Sequence, residues 1–451
     1  IAYTTTDSQG SYSLKLADSG NYTLKITHIG YLPIEHNLLI DKDSGSVIKN
    51  IILEQDTESL EEVILSFEPT VMKVSRDTIT YNLKALTNGE ENSLADVIDK
   101  LPGVVINPSG QISVNGKVIR KLLIDGEELF KKQHRLTAES ITSEMIEGIR
   151  YLDKFKDFGN INGFENKQMH VLDVSVKEKF KNKITGDIKA QGGYKEKLVG
   201  HTNLYRLGGK LKAGFIGDRN TIGKQSITLY EYEQLTKTRE ADDFSATASV
   251  SSTQNDELPR FFDATTDVFN RENTFGAVSL ILKPTNTFKA SFLNLSSNSD
   301  QKQRTLIDRL FFENTTLNQK ESRNVASNFF VNTSIFELGY QPRTDMFFEY
   351  KANLSPQKSK ERYHIDALFN QDSIGIVQKK EGKNWRFDQE LSFVSKVGNK
   401  SLLKISGLAE YSTADNELTV GVSKPFLGFS ANDTLKQIQN ERMNRYGYEL
   451  Q

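Results

Sequence analysis

The sequence of 451 residues contains no cysteine. A chain without thiols cannot form a disulfide scaffold, a thiolate zinc site or a cysteine nucleophile, so these three classes are excluded. Without cysteine, the sequence does not indicate whether the protein works in an oxidising or a reducing compartment. The length alone predicts about two to four domains.

The chain also lacks an excess of charge of either sign. Lysine and arginine total 57 and aspartate and glutamate total 59, which gives a net charge of −2. A dedicated nucleic-acid binder needs a basic surface for its phosphate contacts. The charge balance therefore predicts no nucleic-acid partner.

Long hydrophobic runs are missing too, because no uninterrupted apolar run exceeds three residues. A membrane-spanning helix needs about 20 apolar residues, so none is expected. The mean hydropathy of −0.49 would ordinarily suggest a soluble protein. A transmembrane β-barrel is compatible with that value, because only alternate residues of each strand face lipid.

Patterns that carry catalysis or bind metals are not found. No two histidines have the i, i+4 spacing of a helical zinc pair, and no nucleophile elbow, phosphate-binding glycine loop or calcium loop occurs. The six are His28, His36, His134, His170, His201 and His364. We therefore assign no catalytic, cofactor or metal-binding residue and expect a protein that is not an enzyme.

The two ends suggest a fragment of a longer chain. The sequence begins at Ile1 without methionine or signal peptide, and its last residues, NRYGYELQ, lie in an alternating segment. We expect any export signal to lie upstream.

Residues 1–57 alternate apolar and polar positions between turn signals, as expected of a small β-sandwich. The predicted strands are SYSLKL, NYTLKITHIGY and HNLLI, and Gly30 is expected to mark a sharp bend. The faces they predict contain Tyr12, Leu14 and Leu16 in the first strand and Tyr22, Leu24 and Ile26 in the second.

Residues 58–182 change to a mixed α and β pattern. SLADVIDKL predicts a short helix with Ser93 as N-cap and Asp96 three residues later. Thr137 is the expected cap of a longer helix over residues 138–155, where apolar residues recur at helical spacing. These residues are Ile141, Met145, Ile149 and Leu152.

Residues 183–451 are almost wholly strand-like, with expected strands of about nine to eleven residues, the length that crosses a bilayer at a steep tilt. Hairpins are predicted at QPRTD and VGNK, and residues 219–270 and 355–384 are predicted as long polar loops. The residues expected on the apolar face are Ser334, Phe336, Leu338, Tyr340, Met346, Phe348, Tyr350, Ala352 and Leu354 in one hairpin, and Leu391, Phe393, Val397, Leu403, Ile405, Ala409 and Tyr411 in the other.

The strands of a soluble β-sandwich or β-helix would also alternate apolar and polar residues. Strand length, the asymmetry of short turns and long loops, and charged opposite faces favour a transmembrane barrel. The many glycines between residues 192 and 220 have two interpretations: strand curvature, which we favour, or close approach of a plug to a barrel wall. The segment SLEEVILSF, residues 59–67, is either a linker strand or a peptide that adds to the edge of a partner's sheet.

Two stretches resemble known families. The stretch TTTDSQGSYSLKLADSGNYTLKITHIGYLP resembles the carboxypeptidase-regulatory-like domain of Bacteroidetes outer-membrane receptors. LADVIDKLPGV and VNGKVIRKLLIDGEE resemble the plug domain of TonB-dependent receptors. The expected fold is mainly β: an N-terminal β-sandwich, a small α/β plug domain, and an antiparallel transmembrane β-barrel that is incomplete in this fragment.

The resemblance implies a receptor in the cell outer membrane with a plugged barrel of 22 strands, which imports a solute with energy from a periplasmic partner. It places the energy-coupling segment at Glu62, Val63, Ile64 and Leu65. The implied partners are outer-membrane lipid, a TonB-type periplasmic energy-coupling protein and an unknown solute, with a surface lipoprotein as an open alternative; no cofactor is implied. The sequence leaves two rivals: a signalling or protein-export receptor on the same scaffold, and a secreted β-rich adhesin or carbohydrate-binding protein.

Overall fold

The computed structural model describes residues 2–42, 45–56, 70–108, 110–159, 161, 169–225, 268–311, 317–369, 372–398, 401–425, 430 and 432–450. The chain forms two compact units, Ile1–Glu68 and Pro69–Gln451. Among the helices in these ranges, none is long and apolar enough to cross a membrane.

The first unit contains an antiparallel hairpin of β1 (Gly20–His28) and β2 (Tyr31–Ile40). Tyr22, Leu24 and Ile26 are half-buried and alternate with exposed residues, which confirms their predicted common face. Gly30 has a φ of +81° at the connection, so the predicted bend is also confirmed.

The strand predicted over SYSLKL, residues 11–16, is wrong: the structure assigns no strand there. The Tyr12 hydroxyl instead donates to the Lys49 carbonyl oxygen at 2.8 Å. Alternation alone does not make a strand, because the backbone also needs a neighbouring strand to bond.

The second unit begins with an α/β module, residues 70–181. Its five-stranded sheet has the order β3-β4-β9-β10-β8, in which β10 and β8 are parallel, and β5-β6-β7 form a smaller sheet. The strands are β3 (Met72–Ser75), β4 (Thr78–Tyr81), β5 (Val104–Ile106), β6 (Ile112–Val114), β7 (Lys117–Val118), β8 (Lys121–Ile124), β9 (Ile146–Leu152) and β10 (Val171–Val176). The helices are α1 (Leu83–Leu86), α2 (Leu94–Asp99) and α3 (His134–Ser140), with short 3-10 turns at Ser143–Met145 and Glu178–Phe180.

Helix α2 confirms the predicted capping box. The Asp96 backbone N–H donates to Ser93 Oγ, and the Ser93 backbone N–H donates to Asp96 Oδ2 at 2.9 Å. These bonds satisfy backbone donors that a helix start would otherwise leave unpaired. The backbone bonds from Ser93 and Asn92 also hold the pKa of Asp96 below its ordinary value.

The long helix predicted over residues 138–155 is wrong. Helix α3 ends at Ser140, and β9 lies between β4 and β10 in the sheet. Ile146, Ile149 and Tyr151 are all buried, an arrangement that strand pairing on both edges permits. The apolar residues do have helical spacing, but pairing of this segment with two neighbouring strands determines its structure instead.

The rest of the unit is a ten-stranded antiparallel sheet, here called the wall sheet, in which every strand pairs with the next along the chain. Its strands are β11 (Ile184–Gly193), β12 (Lys197–Arg206), β13 (Leu211–Asn220), β14 (Val268–Thr285), β15 (Phe288–Phe311), β16 (Leu317–Arg343), β17 (Met346–Phe369), β18 (Asp372–Val397), β19 (Ser401–Val422) and β20 (Thr434–Leu450). The predicted hairpins at QPRTD and VGNK are confirmed as the β16–β17 and β18–β19 connections.

The wall sheet has an inner face, which contacts the α/β module, and an outer face. A row of apolar side chains crosses six neighbouring strands on the outer face: Phe288, Tyr340, Phe348, Phe393, Ile405 and Leu450. The Phe348 and Phe393 rings lie 4.7 Å apart. The apolar residues predicted to share one face therefore do so, and this face points away from the module.

The predicted strand length holds for β11–β13, which have 10 residues each, but β14–β20 run from 17 to 27 residues. In the segment 355–384, predicted as a loop, residues 355–369 belong to β17 and residues 372–384 belong to β18. The polar composition of these residues suggested a loop. Paired strands, however, satisfy their backbone hydrogen bonds with each other, so polar side chains do not prevent strand formation. Of the other predicted loop, residues 226–267 lie outside the described residues.

His134, at the start of α3, is buried in the module. Burial is the main reason why its pKa falls from the ordinary 6.5 to about 4. The folded module thus holds this imidazole neutral at a pH where the unfolded chain protonates it.

We expect the stability of the module to fall as pH drops from about 6.5 to 4, by up to about 3 kcal/mol from His134 alone, because only the unfolded state gains the proton. His134→Gln should flatten this pH dependence, whereas the control His28→Gln, an exposed residue of the first unit, should not. Hydrogen exchange of α2 and α3 amides, corrected for intrinsic rates, measures the effect in the intact protein. Equal pH slopes for wild type and His134→Gln would contradict it.

Candidate functional site

The module meets the wall sheet through the segment that follows β8. The chain reverses at Asp125 and Gly126, with φ angles of +48° and +76°. Asp173 holds this turn, because its Oδ1 accepts the Gly126 N–H at 2.9 Å while its Oδ2 accepts Arg150 Nη2 at 2.7 Å. The turn brings residues 127–131 against the inner face.

Phe130 is the apolar centre of the interface. It is fully buried and packs edge-on against Tyr205 of β12, with ring centroids 6.4 Å apart. A Cβ added at Gly214 of β13 would lie 2.9 Å from Phe130 Cζ, closer than real Cβ contacts. The absence of a side chain at Gly214 therefore makes room for the Phe130 ring.

Wall side chains also bond the module's backbone. Asn203 Nδ2 donates to the Ser140 carbonyl at 2.8 Å, and Lys212 Nζ donates to the Asp125 carbonyl at 2.7 Å. The Ser279 hydroxyl donates to the Leu129 carbonyl. These contacts fix the position of the module without depending on its side chains.

A cluster of charged side chains, here called the interface cluster, lies beside these bonds. Its members are Lys121, Glu127, Glu128, Lys131 and Asp157 of the module and Lys289 and Glu337 of the wall sheet. Three ion pairs between described residues cross the interface: Lys131 pairs with Glu337, and both Lys289 and Lys283 pair with Glu127. Within the module Lys121 pairs with Asp157 and lies 3.8 Å from Glu128. The cluster surrounds a cavity of about 70 Å³.

Burial and neighbouring charges set the ionisation of this cluster. Burial raises the pKa of Glu128, against the opposing effect of Lys121 and Lys131. Although burial acts to lower the pKa of Lys121, the nearby Glu128 and Asp157 hold it above its ordinary value. Lys121 in turn outweighs burial and holds the pKa of Asp157 low. The Lys121–Asp157 pair therefore stays charged, and Glu128 is the carboxyl that protonates more readily than usual.

The candidate coupling residues Glu62, Val63, Ile64 and Leu65 lie outside the described residues, so their role stays a prediction. Among the glycines of residues 192–220, Gly214 fits the close-approach interpretation. An added Cβ would meet no atom within 4 Å at Gly192 and only an ordinary contact at 4.0 Å at Gly200. The preference for curvature was thus wrong at Gly214. The sequence singled out VNGKVIRKLLIDGEE as a motif but did not reveal that its charged residues meet the wall.

We expect Gly214→Ala to loosen the module, because the new methyl group would overpack Phe130 at a cost of about 1–3 kcal/mol. Hydrogen exchange of residues 127–131 should speed up accordingly. Gly200→Ala on β12 is the matched control, since its nearest neighbouring atom would lie 4.0 Å away. Equal exchange in the two variants would refute the tight contact.

Comparison with protein-family models matches residues 2–65 to the CarboxypepD_reg-like domain. A search among curated proteins found no match. Among solved structures, the chain is similar to the ferric yersiniabactin uptake receptor FyuA from Yersinia pestis, with 10% identity over 84% of this chain and 62% of that chain and a TM-score of 0.24. A similar match is BauA, the ferric preacinetobactin receptor from Acinetobacter baumannii, with 10% identity, 83% and 61% coverage and a TM-score of 0.24. The chain thus spans less than two thirds of the length of these receptors. The family match is confined to residues 2–65, which are similar to the CarboxypepD_reg-like domain.

Proposed function

We propose that this chain is part of an outer-membrane receptor that imports a solute through a barrel closed by a removable plug. The α/β module is the plug and the wall sheet is part of the barrel. The domains are then residues 1–57, 58–182 and 183–451. The observation that carries the proposal is a compact module held against one face of a long-stranded antiparallel sheet whose other face carries a continuous apolar row.

The two faces suit the two surroundings that such a barrel requires. The outer face includes Phe336, Phe348 and Ile405, which are 37%, 40% and 46% exposed. In water these apolar side chains would be costly to expose, whereas lipid solvates them. The inner face carries the polar residues Glu337, Lys289 and Asn203 that bond the plug.

The interface also suits a plug that has to move. Charged pairs separated into a water-filled lumen regain hydration, which offsets part of their lost attraction. When an apolar interface of similar area separates, its surfaces gain no favourable hydration, so nothing offsets the lost contacts. Mechanical work is still required, because Phe130 and the bonds to Ser140 and Asp125 must be broken as well.

The outer membrane has no ATP, so this work must come from a partner that spans the periplasm. An extended peptide that pairs with a partner strand can bear load, because several backbone hydrogen bonds share it. The proposed contact is Glu62, Val63, Ile64 and Leu65, since these residues precede the α/β module and resemble the family's coupling segment.

Replacing Val63 and Ile64 with proline should weaken binding of the periplasmic domain of the TonB-type protein by about tenfold or more, because each proline removes a backbone donor. Affinity is measured by calorimetry or surface plasmon resonance with the detergent-purified receptor. The control is Ile48→Pro, at an exposed site without strand structure in the same unit. Undiminished affinity of the double proline variant would reject these residues as the coupling segment.

A further inference from the structure

Glu128 is the carboxylate of the interface cluster without a lysine of its own. Each of the other four described carboxylates that line the cavity of about 70 Å³ pairs with a lysine. These pairs are Glu127 with Lys289, Asp157 with Lys121, Glu337 with Lys131, and Glu349 with Lys351. Glu128 lies 3.8 Å from Lys121, which pairs more closely with Asp157. The cluster therefore leaves one carboxylate without a dedicated partner.

The side chain of Glu128 is also incompletely hydrogen-bonded. Its Oε1 is buried and has no hydrogen-bond partner among the described residues, whereas its Oε2 faces Lys121. Only 12% of the side chain is exposed. An ionised carboxylate in such a place is costly, because it has lost its hydration without full pairing in return. A proton removes this cost, since it neutralises the group and turns one oxygen into a hydrogen-bond donor.

Charged side chains face Glu128 from each described element packed around the cavity. They come from β8, from the segment after β8, from the segment after β9, and from the wall strands β15, β16 and β17. In that order they are Lys121, Glu127, Lys131, Asp157, Lys289, Glu337 and Glu349. One contact further away, Lys283 of β14 pairs with Glu127 and Lys351 of β17 pairs with Glu349. Burial is the largest of the effects on Glu128 and exceeds the attraction of its nearest lysines, so the pKa of Glu128 lies above its ordinary value.

The wall sheet supplies part of the enclosure around this carboxylate. The residues on either side of Glu128 are held by the wall, because Glu127 pairs with Lys289 and the Leu129 carbonyl accepts the Ser279 hydroxyl. Wall side chains also line the same cavity, among them Lys289, Ser291, Glu337 and Glu349. If the module leaves the wall, this side of the cavity opens and Glu128 meets water. Its ionisation is therefore linked to the position of the module.

We infer that Glu128 carries a proton while the module rests on the wall sheet and releases this proton when the module moves away. Acid then holds the module in place, and a rise in pH eases its release. This inference rests on the proposed function, because only a plug that leaves the wall exposes Glu128 to a water-filled lumen. The proton acts as a ligand of the resting state alone, so its concentration regulates the same interface that mechanical work must open.

The direction of the pH effect follows from the number of protons that each state binds. A hydrated glutamate has a pKa of about 4.3, whereas the pKa of Glu128 in the resting state is higher. Between these two values only the resting state keeps the proton, so opening must release it. Each unit of pH rise in this range favours the open state by up to about tenfold. Above the raised pKa both states are ionised, and the effect levels off.

The test compares wild type with Glu128→Gln in the full-length receptor, purified from outer membranes in detergent. Glutamine has nearly the shape of a protonated glutamate and cannot ionise. Hydrogen exchange of the amides of residues 127–131, corrected for intrinsic rates, measures opening of the interface. We expect the ratio of wild-type opening to variant opening to rise about fivefold or more between about pH 4.5 and 7.5. Taking the ratio cancels contributions that the two proteins share, such as that of His134.

Glu139→Gln is the matched control, since Glu139 is an exposed carboxylate of α3 that pairs with Arg135 at 3.0 Å. The ratio of wild-type opening to control opening should stay constant with pH. A constant or falling ratio for Glu128→Gln would overturn the inference. A ratio that responds to replacement of sodium by choline instead of to pH would assign the cavity to a metal cation and would also overturn it. Recovery of the receptor in the soluble fraction without detergent would instead overturn the proposed function.

Discussion

Antiparallel pairing of long strands is the constraint on which the rest of the structure depends. Each strand of the wall sheet bonds its neighbours in chain order, so alternate residues are sorted onto two faces along its whole length. In the proposed barrel, one face meets lipid while the other meets a polar lumen and the α/β module. A shift of one residue in any strand would exchange the two sets, placing Glu337 outside and Phe336 against the plug.

The α/β module, the proposed plug, is held against the wall sheet by contacts of two different kinds, and each kind has its own consequence. Phe130 against Tyr205 and Gly214 is a close-packed contact that specifies one position of the plug. The pairs of the interface cluster are directional and can be hydrated when they part. Under the proposed function, the two kinds of contact together make a plug that is fixed at rest and can be removed by mechanical work.

Local signals were enough to predict the Ser93 capping box, the β1 face and the tight hairpins of the wall, because each depends on residues close in sequence. The α3–β9 region was not predictable in this way, since Ile149 satisfies both helical spacing and a buried position in strand β9. The site was even less accessible: Lys131 and Glu337 are separated by 206 positions, and no local pattern connects them. The resemblance located the motif around Glu127 but not its partners on the wall.

Pulling on the plug tests most directly whether it separates from the wall. Ser140→Cys and Asn203→Cys place two thiols where Asn203 Nδ2 now lies 2.8 Å from the Ser140 backbone carbonyl oxygen, in a chain with no other cysteine. Electrophoresis without reductant verifies that they form a disulfide. With the wall embedded in a membrane and force applied before residue 70, the reduced protein should extend by about 390 Å as residues 70–181 unravel, at about 3.5 Å for each of 112 residues. The oxidised protein should stop at about 250 Å, at residue 140. Unravelling of wall strands before the plug, or the same extension in both redox states, would contradict a removable plug.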